Sequence, residues 1–146
     1  CNVVGAKLVV VLGHTRCGAI QSACDGIEQG YITQLLAKIK PAMNAETKIT
    51  DNRTGQNVSF VTRVTELNIA NTMQNIYSQS DILRNMINSD EVGIVGAMYD
   101  VNSGKVKYDD YAHELVELES NVQKHLVKKC AQILLQSKIH SEAIAS

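Results

Sequence analysis

Residues 8–12 read Leu-Val-Val-Val-Leu, an unbroken apolar run rich in β-branched side chains, and Gly13 ends it. A run of this kind predicts a strand over 7–12 that is buried on both faces of a parallel sheet. From Thr15 to about Cys24 small and apolar residues predict a helix, with Thr15 as its cap and Asp25-Gly26 as its stop. The order is therefore strand, tight turn, helix. The chain opens at Cys1 and enters this strand at once, which reads as a cut through a domain.

Further along, Ile32, Leu35, Leu36 and Ile39 share one face of a short helix predicted over 31–40 and ended by Pro41, the only proline. The polar stretch 47–57, with Asp51-Asn52-Arg53-Thr54-Gly55, predicts a water-exposed loop. Phe60, Val61, Val64, Leu67, Met73, Ile76 and Tyr77 then recur at helical intervals, predicting a long helix over 59–78. Ser80-Asp81 caps a shorter helix, and a strand over 92–99 is joined by Asn102-Ser103-Gly104 to a second over 105–108, a hairpin at a sheet edge. Residues 110 to about 139 place Leu115, Leu118, Val122, Leu126 and Ile133 near heptad spacing, predicting a long C-terminal helix with one apolar face. That face suits packing on its own domain or on a second subunit, and a regulatory partner is the other reading. With no linker or repeat in view, residues 1–146 read as a single domain whose C-terminal helical extension is 110–146.

A formal net charge of -1 supplies no basic field for nucleic acid or anionic lipid. No run approaches the roughly 20 apolar residues of a membrane span, and no signal peptide is visible. Four irregularly spaced cysteines read as reduced thiols or metal ligands rather than a disulfide framework, and a cytoplasmic location follows as the expectation.

His14 and Cys17 fall three apart where the first strand gives way to the helix, the end of an α/β sheet at which ligands bind. If the first helical turn begins near Thr15, imidazole and thiol share one face and reach a common point. Both are good zinc donors, and Gly13 and Gly18 leave room for a sharp exit and close backbone approach. Alone, the pair more readily suits a chance histidine beside a small buried thiol. Cys24 lies seven residues beyond Cys17, roughly 10 Å along a continuous helix, too far for a shared zinc. Cys1 belongs near the opposite end of the strand and Cys130 on the apolar side of the last helix, both structural. His113, His125 and His140 are too widely spaced to cluster.

The run Val11-Leu12-Gly13-His14-Thr15-Arg16-Cys17-Gly18-Ala19 resembles the second zinc motif of β-class carbonic anhydrases. Glu66-Leu67-Asn68-Ile69, Val95-Gly96-Ala97-Met98-Tyr99-Asp100 and Gly104-Lys105-Val106 agree with the same family in the same order, so the resemblance covers roughly 2–108. It implies an α/β fold with a mostly parallel sheet and flanking helices, assembled as a homodimer or higher oligomer. It implies a zinc-dependent lyase that hydrates carbon dioxide reversibly to bicarbonate with a zinc-bound hydroxide. In the family one histidine and two cysteines hold the metal, with water or an aspartate in fourth place; His14 and Cys17 match the histidine and the second cysteine. The first cysteine belongs to a Cys-x-Asp-x-Arg motif ahead of the strand, and this chain contains no such motif. Taken alone the chain is therefore expected to be weakly active or inactive; the alternative is a non-catalytic dimerisation or regulatory module of the same ancestry. Tyr99 matches a tyrosine that lines an inhibitory bicarbonate site in some bacterial members, against the plainer reading of a tyrosine packing at the sheet edge.

Overall fold

The computed structural model describes residues 1–109. Strand β1 (Leu8–His14) leads through a turn to α1 (Gly18–Cys24), followed by two short helices, α2 (Ile32–Ala37) and α3 (Lys40–Ala45). A loop then reaches the long α4 (Val58–Gln79), the shorter α5 (Asp81–Asn88) and the strands β2 (Gly93–Tyr99) and β3 (Val106–Asp109). The expected C-terminal helix, with Cys130, His113, His125 and His140, lies outside the described residues.

The sheet runs β1-β2-β3, with β1 parallel to β2 and β3 antiparallel to it. This is an α/β fold with a small mixed sheet. β2 is buried along almost its whole length, as its apolar run demands, but β1 alternates between half-buried and exposed residues. The expected burial of β1 on both faces is therefore not what is found. β1 is a terminal strand of the described sheet, and only the face bearing Val9, Val11 and Gly13 packs on α4. Leu8, Val10 and Leu12 on the other face keep 41%, 43% and 54% of their surface in contact with water.

Helix α4 connects two clusters of apolar side chains. Phe60, Val61, Val64 and Leu67, in its first half, pack with Ile20, Leu36 and Ile39 of the preceding helical region. Ile69, Ala70, Met73 and Tyr77, in its second half, pack with Ile87 of α5 and Ile94, Val95 and Met98 of β2. Its start is fixed by Asn57, whose side-chain oxygen accepts from the Ser59 and Phe60 amides, and that of α5 by Ser80, which accepts from Leu83. The helix predicted over 31–40 is interrupted instead: Pro41 sits in the first turn of α3, where its missing N–H costs nothing.

The polar loop before α4 is tied down rather than loose. Glu46, 2% exposed, accepts from the Lys48 and Ile49 amides at 2.6 and 3.0 Å and from Arg63 Nε at 3.2 Å. The Arg53 guanidinium donates to the carbonyls of Met43, Glu46 and Ile49 and lies 4.5 Å from the centre of the Phe60 ring. Gly55 N–H donates to Asp25 Oδ1 at 2.7 Å, closing the loop onto the end of α1.

Candidate metal site at the end of the first strand

His14 is the last residue of β1 and lies on its exposed side. Cys17 is the N-cap of α1, in extended backbone with no side-chain capping bond. Thr15 and Arg16 between them make the turn, and Arg16 takes the left-handed conformation at φ 57. The helix thus begins at Gly18 and not at Thr15, and the pair is set by a tight turn rather than by one face of a helix. Thr15 explains the shift. Its N–H donates to the Tyr99 carbonyl at 2.9 Å and its hydroxyl accepts from the Val101 N–H at 3.1 Å, so it is held to the sheet one residue past the strand.

The imidazole has a defined partner. His14 Nδ1 stands 3.0 Å from the Thr15 carbonyl oxygen, and because that oxygen can only accept, the contact puts a proton on Nδ1; in the neutral ring Nε2 then carries the lone pair, and it has no hydrogen-bond partner among the described residues. Cys17 is half-buried against the helical cluster and borders a cleft of about 530 Å³ walled by Ile20, Leu35 and Ile39 on one side and Asn68 and Asn71 of α4 on the other.

An imidazole nitrogen and a thiol are donor types that zinc takes, but a catalytic site needs about three protein donors. Among the described residues no group of three or more His, Cys, Asp and Glu side chains is placed to hold a metal. The donor chemistry fits zinc; the donor number supplies only part of a coordination shell. Cys24 is buried in the helical cluster, and burial foremost pushes its thiol pKa up, with Asp25 adding to the rise and Arg53 opposing it. Cys1 precedes β1, at the end away from His14.

Tyr99 is the register partner of His14 across the parallel β1–β2 pair, so the two side chains start side by side on one face. It ends the middle strand and is not at the sheet edge. Asp100, next in sequence, ends the run 95–100 and has a structural role that the run itself does not reveal. Its carboxylate accepts from the Asn102 N–H at 2.9 Å, the Ser103 hydroxyl at 2.8 Å and the Thr15 hydroxyl at 3.4 Å. Those bonds, the Asn102 amide foremost, hold its pKa below the usual aspartate value. The Asp-x-Asn-Ser-Gly spelling signals a side-chain-closed turn, but nothing in it names Thr15 as the distant partner.

A family profile described as Carbonic anhydrase matches residues 1–106, which include both donors and the Tyr99–Asp100 turn. This chain belongs to the β-carbonic anhydrase family. Among curated relatives, Carbonic anhydrase 2 of Mycobacterium tuberculosis is 24% identical over 121 residues, covering 80% of this chain and 55% of the relative. The chain therefore spans about half the length of the curated relatives that it matches. Among solved structures, the β-carbonic anhydrase CafA of Aspergillus fumigatus shares the fold with a TM-score of 0.61 at 22% identity, covering 84% of this chain and 56% of that one. A β-carbonic anhydrase of Sordaria macrospora, one of two described as tetrameric, gives a TM-score of 0.56 at 24% identity over 70% of this chain and 51% of that one. The β-carbonic anhydrase fold is thus present from β1 to β3.

Proposed function

We propose that this chain contributes His14 and Cys17 to the zinc site of an enzyme that interconverts carbon dioxide and bicarbonate. The observation that carries the reading is the turn joining β1 to α1, in which His14 Nδ1 faces the Thr15 carbonyl, Nε2 has no partner among the described residues, and Cys17 follows at the helix opening within a family-matched segment. Bound there, zinc would acidify a water so that it adds to carbon dioxide near neutral pH. This chain's own residues would hold the ion, with Thr15 orienting the imidazole. The third donor belongs to a Cys-x-Asp-x-Arg segment not contained in the chain. The outer side of β1 is unpaired among the described residues, and a strand added there would run beside the one that ends at His14. We further propose a homodimer or higher oligomer, supported by the tetrameric Sordaria relative.

The chain alone is expected to hydrate carbon dioxide little faster than buffer, because two donors do not make a catalytic zinc site. A stopped-flow assay with zinc added should show near-background rates, and a polypeptide carrying Cys-x-Asp-x-Arg supplied in trans should raise them. His14→Ala and Cys17→Ser should each abolish that gain and lower zinc content. Zinc content unchanged in both variants would remove the basis of the reading. The exposed apolar face of β1, with Leu8, Val10 and Leu12, favours a second reading, a non-catalytic dimerisation or regulatory module of the same ancestry. Zinc-free protein that still self-associates, with no gain from the added polypeptide, is its signature.

A further inference from the structure

His14 is an exposed side chain at the last position of a strand, beside a two-residue turn, which is a poor way to hold a metal ligand still. The structure supplies what the turn lacks. Thr15 is fixed twice, through its N–H to the Tyr99 carbonyl at 2.9 Å and through its hydroxyl, which accepts from Val101 N–H at 3.1 Å. The same hydroxyl donates to Asp100 Oδ1 at 3.4 Å, and Asp100 is itself fixed by Asn102 N–H at 2.9 Å and Ser103 Oγ at 2.8 Å. Its main chain is closed into the hairpin as well: Asp100 N–H donates to the Lys105 carbonyl at 2.8 Å, and its own carbonyl accepts from Gly104 N–H at 2.9 Å. With its N–H and hydroxyl both held, Thr15 is anchored to the sheet, and its carbonyl oxygen stands 3.0 Å from His14 Nδ1. Arg16 in the left-handed conformation marks a turn that the surroundings impose, since a non-glycine residue adopts that geometry only at a cost.

We propose that Asp100 and Thr15 act as positioning residues for His14, using the β2–β3 turn to hold its imidazole with the proton on Nδ1 and the lone pair on Nε2. Free histidine in water favours the opposite tautomer, so the arrangement must be enforced by the protein. The metal-binding half of the inference rests on the zinc reading above; the tautomer half does not, because it is a property of the metal-free chain. Ligand histidines elsewhere depend on such partners, and losing one weakens metal binding by on the order of 10–100-fold.

The test is nitrogen-15 NMR of the four histidines in the metal-free chain at a pH above the imidazole range, with His14→Gln assigning the resonance. Wild type and Thr15→Ser should show a protonated Nδ1 and a bare Nε2 at His14. Thr15→Val, which loses the hydroxyl at constant volume, and Asp100→Ala should bring the two nitrogen shifts toward those of free histidine while the amide spectrum of the helices stays in place. Cobalt(II) or zinc added to the same samples should perturb Nε2 of His14 at about tenfold higher metal concentration in the two disrupted variants. A His14 tautomer already mixed in wild type, or unaltered in both Thr15→Val and Asp100→Ala, overturns the proposal. If the tautomer follows the variants as expected but no metal binds to any of them, the positioning stands and the zinc reading fails.

Discussion

Replacing Gly13 by alanine measures how closely β1 lies on α4 just before the metal-site turn. A Cβ at this position would stand 2.7 Å from Ile69 Cδ1, 3.0 Å from Ile69 Cγ1 and 3.2 Å from Thr65 Cγ2. Ordinary carbon–carbon contact begins near 3.5 Å, so the first of these is too close by roughly 0.8 Å. Ile69 is 3% exposed and has little room to rotate away. Overpacking of this kind costs about 1–3 kcal/mol, and the stiffer unfolded chain of the alanine variant returns about 0.4–1 kcal/mol. The net expectation is a loss of about 1–2 kcal/mol, or a fall of about 0.5–1 M in the urea midpoint if the slope is about 2 kcal/mol/M. Ile69→Val removes Cδ1, the nearest atom, and by itself should cost about 0.5–1.5 kcal/mol through the space it leaves. In the double variant the new methyl group occupies that space, so the two losses should fail to add by about 1 kcal/mol in the stabilising direction. Urea unfolding of the four proteins in the cycle gives the coupling directly. Losses that add within about 0.3–0.5 kcal/mol would refute the claim that strand and helix meet through these atoms.

Three further outcomes follow from the loop and the thiols. Glu46 has its pKa held below the usual glutamate value, because the Ile49 and Lys48 amides and Arg63 outweigh the opposing effect of burial. Its carboxylate therefore contributes stability that is present above about pH 4.3 and is lost as pH falls through the lower folded-state value; Glu46→Gln should lose less stability than wild type across that acid interval in pH-dependent urea titrations. Gly55→Ala would set a methyl group 2.6 Å from both the Gln21 carbonyl oxygen and Asp25 Oδ2, a backbone clash expected to cost about 1–3 kcal/mol and to expose the 46–57 loop to limited proteolysis. Iodoacetamide at neutral pH should modify Cys17 well before Cys24, since Cys24 is buried and its thiol pKa is raised; peptide mass mapping showing Cys24 alkylated first would contradict the described packing.

The long helix, the Ser80-capped helix and the hairpin were legible because each depends on local chemistry: side-chain period, a capping oxygen and a turn spelling. Pro41 was ambiguous for an equally local reason, since proline ends one helix or opens the next with the same ring. The start of α1 was not legible. Thr15 is a good capping residue by type, and only its bonds to Tyr99 and Val101, more than 80 residues away in sequence, hold it in the sheet. The exposure of Leu8, Val10 and Leu12 was hidden for a related reason: side-chain type shows that a strand can be buried, whereas burial also depends on what is laid against it. For the site, residue types at 14 and 17 were visible in sequence, while the second partners Thr15 and Asp100 emerge only from the fold.

Helix α4 belongs to both side-chain clusters, Leu67 to one and Ile69, two residues on, to the other. One continuous helix of 22 residues joins the two clusters across that boundary. The three preceding helices and the sheet should therefore lose protection from solvent deuterium together, as one cooperative unit. A fault in the far helical region, such as a broken Arg53 anchor, is then felt at the strand that ends in His14 through loss of the whole folded population rather than by a local distortion.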